Sequence, residues 1–281
     1  MFLGTQSSSS FVDSQKPFQV TYGTGAVKGN IVTDNVVIAG LNLSGHTFGV
    51  ATIETEDFSG NRTIFDGIMG LSHSTLSQQK TLTPVESLTK AGLIKNAVVS
   101  FKVPRLADQK NDGQATLGGV DPSKFDQNTL VTLNNVNKQG FWEGQLDAVS
   151  VDGNDLGLNG RTAILDTGTT LLLVSKGDAQ AIHKGITGAK ENADGTFTVP
   201  CTTNASLALT FGQQSFAIDS RDIAFSPIDQ NNPTGDCQSG IIASNVNAAN
   251  PNQWLAGDVF LKNAYFSTDV GKNTIQLAKL T

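Results

Sequence analysis

The sequence predicts a mainly β protein with a few short helices, arranged in two halves. Three observations carry that expectation. Apolar side chains recur with period two, Asp-Gly turn pairs interrupt the chain at intervals, and only two segments carry both the start and stop signals of a helix. The 281 residues include 29 glycines and 15 phenylalanines, with 38% hydrophobic and 16% charged residues. That is enough apolar material for a globular core, and enough length for one large domain or two of roughly 140 residues.

Near the start, Phe18, Val20 and Tyr22 alternate with Gln19 and Thr21 and run into Gly23-Thr24-Gly25. This pattern predicts a strand entering a glycine-rich hairpin tip. Further strands are expected at 35–38, 97–103, 114–117, 130–133, 146–151, 207–211 and 265–267, with turns at Asp112-Gly113, Asp152-Gly153 and Asp194-Gly195. Thr83-Pro84-Val85-Glu86 combines an N-cap, a first-turn proline and a capping-box acid, so a helix should begin there and stop at Gly92. A second helix should start at Ser175, with Asp178 three residues on, and end near Gly185. The halves echo each other: Phe65-Asp66-Gly67-Ile68-Met69-Gly70-Leu71 has a partner in Trp254-Leu255-Ala256-Gly257-Asp258-Val259-Phe260. The boundary is expected between Leu133 and Phe141, giving lobes of residues 1–133 and 134–281. No linker composition marks it, so the lobes should share a continuous sheet or interface.

Charge and special residues exclude several functions. The net charge is −6 and no basic stripe could neutralise a phosphate backbone, so nucleic acid is not an expected partner. No apolar run approaches a bilayer span, and the first residues lack the basic start and apolar stretch of a leader. Cys201 and Cys237 stand 36 positions apart, a spacing that leaves disulfide and free thiols both open. His46, His73 and His183 are scattered and no Cys-x-x-Cys occurs, so neither a metal nor another cofactor is expected. Three Asn-x-Ser/Thr tripeptides begin at Asn42, Asn61 and Asn204 and lean weakly toward secretion.

The chemistry centres on Asp166. Ala163-Ile164-Leu165 should be a buried strand that delivers Asp166 into Thr167-Gly168-Thr169-Thr170, after which Leu171 to Val174 resume the apolar run. A carboxylate between two apolar segments must be hydrogen-bonded or functional, because an unpaired buried charge costs several kcal/mol. Residue type alone leaves a functional carboxylate and an Asp-capped turn equally open.

The full string, two apolar residues followed by Asp166-Thr167-Gly168-Thr169-Thr170 and a renewed apolar run, resembles the active-site signature of pepsin-like aspartic proteases. Tyr22-Gly23-Thr24-Gly25 resembles that family's flap hairpin. Within the two echoing strings, the apolar-apolar-Gly runs Ile68-Met69-Gly70 and Leu255-Ala256-Gly257 resemble the strands beneath its active-site loops. Phe141-Trp142 and Trp254 fit aromatic positions of the C-terminal lobe, and the likeness runs through all 281 residues in one order. The resemblance implies a bilobal pepsin-like fold and a Cys201–Cys237 disulfide. It implies an acid endopeptidase acting on protein or peptide substrates, monomeric, secreted or vacuolar, and blocked by pepstatin-like inhibitors when complete. Asp166 would be the second-lobe member of an aspartate pair that shares one proton and a water. Thr167 would brace the loop, Thr169 would hydrogen-bond the carboxylate, and Thr170 would meet substrate further upstream. Gly23 and Thr24 would offer backbone groups to the peptide, and Tyr22, Phe65 and Ile68 would line a hydrophobic pocket. Plain core packing is an equal reading for Phe65 and Ile68.

One feature departs from the family pattern. Asp-Thr-Gly occurs once, and neither Asp13 nor Asp34 is followed by Thr-Gly. Asp166 precedes Gly257 by 91 positions; the same interval set back from Gly70 falls about twenty residues before Met1. The expectation is an N-terminal lobe that is incomplete and a chain inactive as written. The alternatives are a non-catalytic relative that binds peptides or partners, and, least favoured, a homodimer joining two Asp166 residues. Other patterns read as ordinary structure. Gly23 to Gly29 misplaces the third glycine of a dinucleotide loop, Lys110 spoils a calcium loop at Asp108 to Gly113, Ser72-His73 is no nucleophile–base pair, and His183 should be solvated on its helix.

Overall fold

The hairpin expected at the first glycine-rich tip opens a three-stranded antiparallel sheet formed by Val12–Thr21, Ala26–Ile38 and Leu41–Glu54, in that order. The computed structural model describes residues 4, 6–23, 25–60, 63 and 65–281, and these form two compact units, Met1–Ala97 and Val98–Thr281. Phe18 and Val20 are half-buried while Gln19 and Thr21 are exposed, as period two requires. The strand expected at 35–38 is only the end of a thirteen-residue strand. Leu41–Glu54 was not expected. Its pairing with Ala26–Ile38 shifts register between Lys28 and Gly29 and between Asp34 and Val36, and such bulges break the alternation that sequence reading depends on. Gly29 is required at the first shift, where a Cβ would lie 1.8 Å from the Val50 carbonyl oxygen.

The Pro84–Lys90 helix forms as its cap signals dictate. Thr83 Oγ1 accepts from the Glu86 amide at 3.3 Å, the Glu86 carboxylate accepts from the Thr83 amide at 2.8 Å, and Val85 and Leu88 are buried. Gly92 ends the helix with φ +71°. The echo between the two apolar strings is not reproduced. Gln253–Ala256 is a strand paired on both sides. Residues 65–71 have no regular structure, and Phe65, Ile68 and Met69 are 46%, 55% and 50% exposed. An apolar string becomes a buried strand only where neighbours pair with it, and no strand among the described residues pairs with this one.

The second unit contains four sheets. Strands at Val98–Lys102, Gln114–Leu117, Val131–Asn134, Ala148–Val151, Leu207–Phe211 and Tyr265–Asp269 lie within two residues or so of the expected positions. One five-stranded sheet has the order Gln114–Leu117, Val98–Lys102, Tyr265–Asp269, Thr274–Ala278, Val131–Asn134. It draws strands from both sides of the boundary expected near residue 133. For that reason the compact units divide at Ala97/Val98, earlier than a lobe boundary drawn along the sequence. The core beneath these sheets includes Trp254, Phe211, Phe216, Phe260 and Leu172, all fully buried.

The Lys176–Lys184 helix starts where expected, with the Ser175 hydroxyl accepting from the Asp178 amide. Its His183 is buried rather than solvated. The helix turns Ala179, Ile182 and His183 onto one inward face. There His183 Nδ1–H donates to the Ala179 carbonyl at 2.7 Å, the Ser239 hydroxyl donates to Nε2 at 2.8 Å, and the ring stacks 4.0 Å from Phe197. Burial holds its pKa below the usual histidine value. Cys201 and Cys237 are joined in a disulfide, which ties the end of the Phe197–Pro200 strand to its neighbour Asp236–Ser239.

Candidate active site

The Asp166 loop is built on three adjacent strands. Thr162–Leu165 runs parallel to Gln253–Ala256, which runs antiparallel to Leu172–Val174. Ala163, Ile164 and Leu165 are buried, as are Leu172 and Val174. The chain therefore enters and leaves the core on either side of residues 166–171, and the polar loop is forced to the sheet's end. There the backbone is stitched to the neighbouring strand: Asp166 N–H donates to Ala256 O at 3.1 Å, Gly257 N–H to Leu171 O at 3.1 Å, Asp258 N–H to Thr169 O at 2.8 Å and Val259 N–H to Thr170 O at 3.0 Å. A Cβ at Gly257 would sit 2.1 Å from the Thr169 carbonyl oxygen, so this close approach admits only glycine.

Within the loop both carboxylate oxygens of Asp166 are engaged. The Gly168 amide donates to Oδ1 at 2.9 Å and the Thr169 hydroxyl donates to Oδ2 at 2.6 Å. These contacts fix the orientation of the carboxylate plane. Asp166 itself is half-buried, while Thr167, Gly168 and Thr170 are exposed. Thr167 makes no side-chain hydrogen bond among the described residues. The arrangement holds an oriented carboxylate at a solvent-facing loop, able to accept a proton or a hydrogen bond.

Two supporting features escaped sequence reading. Asp258 follows the glycine of the apolar string, and its carboxyl is pushed up to about 6, by burial first, with the negative charges of Asp166 and Asp222 adding and Lys262 opposing. Its position beside Gly257 was visible, but the burial that perturbs it depends on the strand pairing. Asp178 is buried with paired partners, Arg161 Nη2–H donating at 2.8 Å and Trp254 Nε1–H at 2.9 Å. This network fastens the two strands beneath the loop to the Lys176–Lys184 helix.

In the first unit, Tyr22 and Gly23 lie at the hairpin tip, where the Tyr22 amide donates to Gly25 O at 2.7 Å. Thr24 lies outside the described residues. Tyr22 packs on Phe58 with ring centroids 5.2 Å apart, and Phe58 lies 6.3 Å from Phe65. The structure thus brings Tyr22 and Phe65 together through Phe58, a residue that sequence reading had not singled out. Ile68 is exposed and takes part in no such row. Asp34 accepts from the hydroxyls of Ser8 and Ser10, which lower its pKa, and Asp13 bonds locally to Gln15 N–H and Asn30. Among the described residues no group of three or more His, Cys, Asp or Glu could hold a metal ion.

Comparison with known proteins matches the family model described as eukaryotic aspartyl protease to residues 2–280. The chain is 36% identical over 276 residues to a protein of Arthroderma benhamiae named probable aspartic-type endopeptidase CTSD, covering 98% of this chain and 52% of that protein. It is equally similar to the protein of that name from Arthroderma otae, covering 98% of this chain and 70% of that protein. Rhizopuspepsin-1 of Rhizopus niveus is 31% identical over 277 residues, covering 96% of this chain and 66% of that protein. The chain thus spans about half to two thirds of the length of several curated relatives that it matches.

Proposed function

Because this chain belongs to the eukaryotic aspartyl protease family, we propose that its Asp166 loop is one half of the carboxylate pair of an acid endopeptidase. The observation that carries this reading is the Asp166 carboxylate, held by Gly168 N–H and the Thr169 hydroxyl on an otherwise exposed loop. Peptide hydrolysis by this chemistry needs a second carboxylate about 3 Å away, so that the pair shares one proton. The ionised member takes a proton from water, whose oxygen attacks the scissile carbonyl, while the protonated member donates to the carbonyl oxygen. Because the pair titrates as a unit, the roles belong to the pair rather than to one residue. Asp-Thr-Gly occurs once in this sequence. By itself, therefore, this stretch is proposed to cut peptides orders of magnitude more slowly than a protein holding both carboxylates.

The remaining assignments are proposals of the same standing. Residues 1–133 and 134–281 are the two lobes. The hairpin carrying Tyr22, Gly23 and Thr24 is the flap, whose backbone groups pair with an extended substrate. Phe65 and Ile68 take apolar side chains of that substrate, and Thr167 and Thr170 support the loop and the peptide upstream. Proteins and peptides are the substrates, pepstatin-like compounds the inhibitors, and the enzyme works as a monomer. A secreted or vacuolar location is supported by the Cys201–Cys237 disulfide, a bond that persists in oxidising compartments. No helix among the described residues is long and apolar enough to cross a membrane.

The test is the protein at its natural length. It is expected to digest denatured haemoglobin in acid and to be blocked by pepstatin. Asp166→Asn is expected to lower kcat by roughly a thousandfold or more with the fold intact by circular dichroism. Full activity in that variant would remove Asp166 from the mechanism. The single Asp-Thr-Gly favours a second reading, a non-catalytic peptide binder; that reading prevails if the wild-type natural-length protein binds peptides and cuts none.

A further inference from the structure

We propose that Asn42 and Asn204 are acceptors for N-linked oligosaccharide. Each begins an Asn-x-Ser tripeptide, Asn42-Leu43-Ser44 and Asn204-Ala205-Ser206. The tripeptide is necessary but common in a chain rich in Asn, Ser and Thr, so the argument rests on how the fold presents it.

At the first site, Asn42 is the second residue of the Leu41–Glu54 strand, just past the Ala39-Gly40 turn, and its backbone pairs with Val37. Side chains two apart on a strand point to the same face. Leu43 is turned inward, with 4% of its surface accessible, while Asn42 and Ser44 are both exposed. The amide and the hydroxyl of the tripeptide therefore stand together on the solvent face. The second site repeats the pattern outside regular secondary structure. Asn204 is exposed, Ala205 is buried and Ser206 is half-buried, with Ser206 anchored by exchange of hydrogen bonds with Asp152 at 2.8 and 2.9 Å. Neither asparagine amide has a hydrogen-bond partner among the described residues, so neither is committed to the fold. An exposed asparagine whose amide bonds to nothing is spare as structure and available as an acceptor.

Compartment supplies the second condition. Asn204 follows Cys201 by three residues, and the Cys201–Cys237 disulfide forms in the same oxidising environment in which oligosaccharide is transferred. The proposal rests on the secretory location proposed above and is independent of the peptidase reading. The donor is a lipid-pyrophosphate-linked oligosaccharide. The asparagine Nδ2 forms a bond to the sugar C1, the C1–oxygen bond to the pyrophosphate breaks, the lipid pyrophosphate leaves, and one amide proton is lost to solvent.

The test uses the natural-length protein purified from its own organism, with peptides released by N-glycosidase in heavy-oxygen water. Heavy-oxygen-labelled aspartate at positions 42 and 204 is the expected result, with a matching fall in intact mass. Asn42→Gln and Ser44→Ala should each abolish the first modification, and Asn204→Gln and Ser206→Ala the second, without loss of folded protein. A position found only as unmodified asparagine, in protein whose Cys201 and Cys237 resist thiol labelling, overturns the assignment there. Free thiols together with unmodified asparagines overturn the secretory location and this proposal with it, while leaving the peptidase test unaffected.

Discussion

Asp258 shows how a single residue can carry a consequence that its sequence neighbourhood hides. Burial, helped by the nearby charges of Asp166 and Asp222, raises its carboxyl to about 6, whereas an aspartate in the unfolded chain titrates near 3.9. The folded state therefore holds this proton more tightly. The stability that this proton provides is fully present below about pH 4 and is lost as pH rises through about 6. Asp258→Asn removes the titration while keeping the shape. Above pH 6 it should be more stable than the wild type by about 1 kcal/mol, a figure reduced for the group's partial exposure, and the gain should vanish below pH 4. Urea unfolding at the two pH values checks this; an equal difference at both would show that Asp258 titrates normally in the fold. The Asp166 loop was legible because hydroxyls and a glycine beside an aspartate announce their own hydrogen bonds. Asp258 was not, because its perturbation comes from strands that meet only after folding.

The Lys176–Lys184 helix makes the same contrast one level up. Its start was readable in Ser175 and Asp178, since a cap is a local device. The burial of His183 was not, because a histidine on a helix face can point either way until its neighbours are known. Phe197 and Ser239 come from strands many residues downstream, and they convert that position into a stacked, hydrogen-bonded core site. With Nδ1–H given to Ala179 O and Nε2 accepting from Ser239, the ring fits as a neutral imidazole, and burial lowers its pKa. A histidine with a lowered folded pKa contributes stability above its unfolded value, and that contribution fades as pH falls. Other groups facing it include Glu191, whose charge works in the opposite direction. His183→Gln removes the titration. Between neutral pH and pH 5 its stability should fall less than that of the wild type, as followed by thermal or urea unfolding. A parallel loss in both proteins would place the acid sensitivity elsewhere.

At the scale of the molecule, apolar burial is distributed unevenly between the two compact units. Both core clusters lie within Val98–Thr281. Among the described residues of Met1–Ala97, the buried hydrophobic side chains are Val32, Leu43, Val85 and Leu88, while Val37, Ile53, Phe65, Ile68 and Met69 are exposed. Four buried side chains give a three-stranded sheet and a helix a small apolar interior, whereas the second unit also carries the Cys201–Cys237 crosslink. This division had no sequence signature. It follows from Val98–Lys102 and Val131–Asn134 pairing with strands beyond residue 264, a non-local match that the period-two pattern cannot encode. Limited proteolysis of the 281-residue chain should therefore remove the first unit early and leave a resistant fragment beginning near Val98 that retains both cysteines. Hydrogen exchange should show amides of Ala26–Ile38 exchanging well before those of Leu207–Phe211 and Tyr265–Asp269. Simultaneous loss of protection in both units would overturn this ranking of their stabilities.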